Sequence, residues 1–378
     1  MRKLFLFFIP LFFVTGLASA KIRRVGFFAS PVAGTDYTTF DLANTAAAAG
    51  DTILMFPSTS INATLTKKLK IFGPGYWLDP ASTPAKGNAG LQAFAGVSTM
   101  NNLTFNTGSE GSVLMGMSGG TIFINTSDIT IQRNYNIVIY LAFLNAVVNV
   151  NNLQVLQNYR VNIANYYTNG STYSNMNISN NFIYSFAVAN GNTYSGSISN
   201  NVWAFDQTQS ANDLNGGANT LSYAGGINLG GGAFLVQNNI FAYYSNAGSV
   251  NNGVYSISNQ GNSIFNYNLS VQGSVAIAWG TGVGNVITPI ANTANIFQGF
   301  PLIGSRTADD RYRLKAGSPA LVANRPGSSV DAGMYAGSYP YKLSGIPTIP
   351  SIYALSSPQG NNPSGSTIQI NVSTRGNN

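Results

Sequence analysis

Between Ile178 and Tyr267 one short phrase recurs four times: Asn180-Asn181-Phe182-Ile183-Tyr184, Asn200-Asn201-Val202-Trp203-Ala204, Asn238-Asn239-Ile240-Phe241-Ala242 and Asn262-Ser263-Ile264-Phe265-Asn266. The starts lie 20, 38 and 24 residues apart. A period of this size marks a solenoid, one supersecondary unit per period, each stacked on the last. The 38-residue interval reads as two turns of about 19. Each phrase is rich in β-branched and aromatic residues and lacks a helical i, i+3, i+4 stripe, so it predicts a strand. The Asn pair before it suits a corner, because Asn tolerates the left-handed backbone and bonds to its own main chain. Corners of successive parallel coils stack about 4.8 Å apart, so their amides can form a ladder. An amide both donates and accepts, and such a ladder satisfies itself without charge.

The chain has 378 residues, and a solenoid of that length can be a single unit. Charged residues make up only 8%, against the roughly 25% usual in globular domains, so Asn, Ser, Thr, Gly and Tyr must cover the outside. The formal charge is +7, or +5 without Arg2 and Lys3 of the leader described below. Between residues 87 and 305 the only basic residues are Arg133 and Arg160. A nucleic-acid groove needs a basic stripe interleaved with aromatics, so nucleic acid is set aside as a partner. Cys is absent, hence no disulfide. His is absent too, which excludes His-based acid–base catalysis, Ser-His triads and His-ligated metals. Carboxylates are too sparse to hold Ca²⁺ tightly, so neither a structural metal nor a cofactor is expected.

Arg2-Lys3, the apolar run from Leu4 to Val14 and Ala18-Ser19-Ala20 have the three parts of a secretory leader. Residues 1–20 are therefore expected to be a signal peptide, with the mature chain starting near Lys21. The apolar run is shorter than the roughly 20 residues of a spanning helix, so no membrane span is expected after cleavage. Thr38 to Ala49 predicts a helix: Thr38-Thr39-Phe40-Asp41 has the form of a capping box, Phe40, Ala43 and Ala47 share a face, and Gly50 supplies the stop. Such a helix would plug the open end of the solenoid, which otherwise shows apolar cross-section and unpaired strand edges.

Three stretches around this helix carry a resemblance: Asp36-Tyr37, Gly50-Asp51-Thr52-Ile53, and the run from Leu69 to Tyr76. They look like the first coils of right-handed parallel β-helix proteins of the pectate-lyase-like superfold. Tyr312-Arg313-Leu314, Gly317-Ser318-Pro319-Ala320 and Asp331-Ala332-Gly333-Met334-Tyr335 are similar to the closing segment of many secreted bacterial β-helix proteins. The resemblance covers about residues 34 to 340. It implies an all-β fold, a right-handed parallel β-helix solenoid with an N-terminal capping helix. It implies little about activity, because this fold hosts lyases, hydrolases, adhesins and inert shafts. The expected organisation is a leader (1–20), a cap with the first coils (21–80), the coils (81–305), a closing segment (306–344), and a Pro/Gly linker with a terminal strand (345–378). In that last part Thr367 to Val372 alternates and reads as a lone strand, which must pair with the solenoid or with another copy.

The chemistry on offer is thin. Gly116-Met117-Ser118-Gly119-Gly120 matches a nucleophile elbow but has no His base, and Gly225 to Gly232 lacks the Lys-Ser/Thr of a phosphate loop and reads as a tight corner. The pectin hydrolases of the superfold use a G-H-G element that cannot exist here. Asp309-Asp310 with Arg313 and Lys315 therefore reads as cap salt bridges. If the chain were a glycoside hydrolase, Asp206 and Asp213, flanking one loop, would be the carboxylate pair. If it were a polysaccharide lyase, the family's use of a basic residue as proton acceptor would fall to Arg133 or Arg160, which could stack on one face. Tyr166, Tyr167, Tyr173, Tyr243 and Tyr244 sit near polar Gly/Asn-rich turns, where a ring with a polar tip suits a sugar surface. The reading is a secreted, non-catalytic β-helix protein at the cell surface, outside the cell or in the periplasm. Its expected role is that of an adhesive or matrix element contacting glycans, or other copies of itself through 367–372. The alternatives are a polysaccharide lyase or glycoside hydrolase, and a glycan-binding module.

Overall fold

The computed structural model describes residues 20–81, 87–144, 146–188, 190–204, 227–242, 257–258, 260–272, 279–289, 295–299, 306–356, 367 and 369–377. Their regular structure is nearly all parallel β, in two long sheets of 12 strands each, with one α-helix. Each coil gives a strand to the first sheet, turns a corner, and gives a strand to the second. Thus Gln154–Leu156 of the first sheet leads through Gln157-Asn158 to Tyr159–Asn165 of the second.

Alternation along the strands puts every second side chain inward, and parallel register stacks these side chains from coil to coil. In the first sheet Ile53, Ile71, Leu114, Ile131, Val155, Ile178, Ile198, Val236 and Phe265 lie in register, all fully buried or nearly so. Leu103, Ile122, Ile139, Ile163, Phe186 and Ile227 form the facing stack. Each such side chain contributes about 1.5–3 kcal/mol of burial, so the solenoid core is a sum of repeated, nearly equal increments.

The corner after the first-sheet strand is built as the Asn pairs predict. The first Asn of each pair is left-handed: Asn180 has φ 59°, Asn200 54° and Asn238 54°. The second points inward and joins a ladder. Asn134, Asn158, Asn181, Asn201, Asn239 and Asn268 are fully buried. The main-chain N–H of each donates to the Oδ1 of the next, at 2.8–3.0 Å, and the ladder ends on Asn285. Each Nδ2 donates to that same Oδ1 and to a main-chain carbonyl, as Asn181 does to Asn201 and Val155.

Two details of the repeat differ from the sequence reading. Asn201 bonds directly to Asn239, and Val202–Ala204 pairs with Ile240–Ala242, so the 38-residue interval is one coil and not two. The ladder then passes through Asn268, so Asn262-Ser263 lies outside it and Ser263 caps Phe234 N instead. Coil length varies because the corner, and not the count of residues, fixes the register.

The predicted helix forms over Phe40–Ala46, shorter than 38–49. Its N-cap is Thr39, one residue later than the capping box suggests, and its chain becomes extended at Ala47. Gly50 is left-handed as foreseen but lies beyond the helix, where its N–H donates to Lys68. The Lys67 ammonium closes the helix end instead, donating to the carbonyls of Asn44 and Ala47 at 2.7 and 2.8 Å. Phe40, Ala43 and Ala47 are buried against the first coils, the face foreseen. Deleting residues 21–56 is therefore expected to leave the chain insoluble, since it uncovers the end of both stacks; a monodisperse truncation on size exclusion would contradict this. No helix among the described residues is long and apolar enough to cross a membrane.

Candidate functional site

The left-handed corner residues form a row along the outside of the coils. Gly116, Arg133, Gln157, Asn180, Asn200, Asn238, Tyr267 and Gly284 occupy it, all with φ between 54° and 75°. Residues 306–347 fold back over this row as a strap. The corner side chains grip its carbonyls one by one. Asn200 Nδ2 donates to Asp331 at 3.0 Å, Asn180 Nδ2 to Met334 at 3.0 Å and to Ala336, Gln157 Nε2 to Pro340 at 2.5 Å, and Arg133 to Ile346 at 2.7 Å. At the far end Arg325, fully buried, reaches from the strap to Asn238 Oδ1 and the Tyr267 carbonyl while holding Ala320 and Val330 of its own segment. Burial pulls the Arg325 guanidinium down to about 10, against the pull of Asp331.

Between strap and corner row lies a groove of about 330 Å³. Its floor is Asn177, Ser179, Ser199 and Gln237 from neighbouring coils, and its strap wall carries Ser329, Ser338 and Tyr339, with Tyr267 at one end. The described lining has hydroxyls and amides but no ionisable carboxyl or amine. Ser179 and Ser199 bond across adjacent coils at 2.9 Å, and Tyr339 is 45% exposed. Gly337 is needed where the strap crosses, with φ 72° and a Cβ position 2.6 Å from Asn200 Oδ1.

A second, smaller assembly is buried beneath the strap. Asp309, with no exposed surface, accepts from Asn88 Nδ2 at 2.7 Å, Ser344 N at 2.6 Å and Tyr341 OH at 3.1 Å. Tyr341 also shares a 2.6 Å bond with the Tyr76 hydroxyl. Burial pushes the Asp309 carboxyl up, and with Asp309 beside them it pushes the hydroxyls of Tyr76, Tyr335 and Tyr341 well up. The salt-bridge reading thus holds for Asp310, which pairs with Arg306 at 2.5 Å and with Arg313, and fails for Asp309, which among the described residues is held by neutral donors. Beside it opens a cleft of about 420 Å³ edged by Arg133, Arg313, Lys342 and Arg375.

The structure separates the residues that sequence grouped as site candidates. Arg133 occupies the corner before Asn134, whereas Arg160 lies two residues past the equivalent Asn158, so the two do not stack. Arg133 is 3% exposed and committed to Gln157, Ile346 and Asn377; Arg160 lies 5.3 Å over the Tyr184 ring. Tyr173 is fully buried and bonds Ile124 O, so it is a core residue and not a ligand surface. Tyr166 and Tyr167 are 50% and 39% exposed, on an aromatic shelf with Tyr140 and Phe143. Asp206, Asp213, Tyr243 and Tyr244 lie outside the described residues.

The tail also departs from expectation. Gly345, Ile346 and Pro347 are buried under Arg133, a clamp and not a free linker. The terminal strand is Asn371–Arg375, and it pairs antiparallel within the same chain with Ser351–Ser356. That hairpin is tied to the body through Ala93 N and the Leu91 carbonyl. The groove-lining residues Ser199, Gln237 and Tyr339 were missed by sequence reasoning, because a polar residue facing a groove looks like one facing water.

No protein-family model matches the chain, and no curated protein matches it in sequence.

Proposed function

We propose that this chain is a secreted, non-catalytic right-handed parallel β-helix protein of the pectate-lyase-like kind, a surface or matrix element that holds neutral glycan under its strap. The groove between strap and corner row carries the reading. Sugar hydroxyls both donate and accept, and the groove supplies amides and hydroxyls that do the same without charge. Tyr267 and Tyr339 add an apolar ring with a polar tip, the pairing a pyranose face needs. Main-chain carbonyls of the strap are already taken by the corner side chains, so the site is preorganised before any ligand arrives. Of the two residues a lyase could use as its base, Arg133 is buried and bonded to carbonyls, and Arg160 lies over the Tyr184 ring.

Calorimetric titration with neutral oligosaccharides chosen from a glycan array tests this. Tyr339→Ala and Gln237→Ala, both outside the core, are each expected to weaken binding about tenfold. Unchanged affinity in both variants would remove the groove from the proposal. Ultraviolet and reducing-sugar assays on pectate, alginate and neutral glycans accompany it: turnover lost in Asp206→Ala or Arg160→Ala would replace the non-catalytic reading.

A further inference from the structure

The aliphatic stack of the first sheet ends on a charge. Ile53 is followed in register by Arg23, 7% exposed, on the strand Ile22–Val25. Arg23 meets Asp51, 2% exposed, at 2.9 Å. The two oxygens of this buried carboxylate are served unequally. Oδ2 accepts from Arg23 Nε and from Ala48 N, both at 2.9 Å. Among the described residues Oδ1 accepts from one group only, the main-chain nitrogen of Lys21, at 2.8 Å. Lys21 is held there from its other side, since its carbonyl accepts from Thr52 N at 2.9 Å. Yet Ala20 and Lys21 are themselves exposed, so the bond between them lies at the surface.

That nitrogen is the atom which cleavage of the Ala20–Lys21 bond would free. We propose that Ala20–Lys21 is a processing site, and that its hydrolysis turns the Lys21–Asp51 hydrogen bond into a half-buried ion pair that locks the first coil. The proposal rests on the secretory reading of residues 1–20. An endopeptidase adds one water across the amide: the carboxylate departs on Ala20, and the nitrogen of Lys21 takes up protons to become an α-ammonium. One of its three N–H groups keeps the Asp51 bond, and the others face the solvent already at Ala20 and Lys21. A charged donor on a charged acceptor is roughly twice as strong as the neutral bond it replaces. The strand Ile22–Val25, which lies between Asp36–Tyr37 and Thr52–Met55, is thereby pinned at the residue just before it.

The other titratable groups packed around this corner are Arg23, Tyr37, which accepts from Arg23, Lys67 on the helix carbonyls, and Lys68 and Lys70 at the next strand. Burial raises the Asp51 carboxyl, but the bonds from Lys21, Ala48 and Arg23 outweigh it and hold the group below the usual carboxylate range. It is therefore ionised wherever the α-amine titrates. An α-ammonium beside it is favoured in the folded state, so its pKa rises above the ordinary value of about 7.7–8.0. The added stability is full below that ordinary value and is lost as pH rises through the raised one.

The test compares the chain starting at Lys21 with the chain retaining Ala18-Ser19-Ala20. At pH 7 the chain starting at Lys21 should melt about 2–4 °C higher. The gap should vanish in Asp51→Asn and close in alkaline solution. Equal melting, or a gap that survives Asp51→Asn, overturns the ion pair. Should Asp51→Asn fail to fold, labelling of the α-amine against pH decides: an ordinary titration point overturns the ion pair, a raised one supports it. N-terminal sequencing of exported protein decides the processing half separately, and any start other than Lys21 overturns that half alone.

Discussion

Asn201→Ala is expected to lower stability by about 3–5 kcal/mol in urea denaturation, while Asn200→Ala, the adjacent substitution, costs about 1–2 kcal/mol. The two side chains of one pair do different work. Asn201 is fully buried, and its Oδ1 is the acceptor for both Asn181 N at 2.9 Å and Asn181 Nδ2 at 3.0 Å. Its Nδ2 supplies Ile178 O at 2.8 Å and Asn239 Oδ1 at 3.0 Å. Alanine leaves Asn181 N without a partner, halves the coordination of its neighbours, and opens a void. Each orphaned buried polar group costs about 1–3 kcal/mol. Asn200 instead tolerates the left-handed backbone and holds one strap carbonyl, Asp331 O. Alanine there keeps the ladder and loses mainly conformational tolerance. Equal, small effects at both positions would show that the ladder is ornamental.

Arg325→Met is the second large effect, with an expected loss of about 3–5 kcal/mol and a strap that proteases cut readily. Methionine fills similar volume, so the loss reports on polar bonds and not on a cavity. Four acceptors depend on this one guanidinium: Ala320 O, Asn238 Oδ1, Tyr267 O and Val330 O. Ser328 Oγ partly compensates at Asn238 and Val330, which keeps the loss below the sum of its parts. Arg325→Lys should fall between, since an ammonium cannot span acceptors placed around a planar fork. Because Arg325 anchors the end of the strap at the Tyr267 corner, the protease site should appear between Pro326 and Val330. Unaltered resistance of the strap in Arg325→Met would place its anchorage elsewhere.

What sequence conveyed about this fold follows from where the information sits. The ladder was legible because Asn is nearly the only side chain that can both accept from the coil before it and donate to the coil behind. The corner residue before it was legible only where it too is Asn. Arg133, Gln157 and Tyr267 hold the same left-handed backbone, but each is retained for its grip on, or cover by, the strap, and that reason is not local. A search for any residue followed by Asn and then a strand would have found the 134, 158 and 268 rungs. The interval of 38 was misdivided because spacing alone cannot separate two short coils from one long one. Tyr173 and Tyr194 stack in register inside the core, and a Gly/Asn-rich setting hides that inward turn. The strap was the least legible part. Most of what docks it is main-chain carbonyls, which every sequence possesses, and its buried side-chain anchor Arg325 reads in sequence like any surface arginine, so the closing segment was marked but neither its path nor the groove it roofs.

The strap also sets an order of events during synthesis. Tyr76 finds a hydroxyl partner in Tyr341, 265 residues later in the chain, and Arg133 finds Ile346 across 213 residues. At about 5–20 residues per second, a ribosome leaves the coil at Tyr76 without its closure for roughly 15–50 s. Through that interval the early coils can stack but cannot be latched, since the latch is still unmade. A growing chain of this design stays easy to unwind until its last fifth exists, and then is closed from behind by residues that belong to no coil. The shaft is built from one end and fastened from the other.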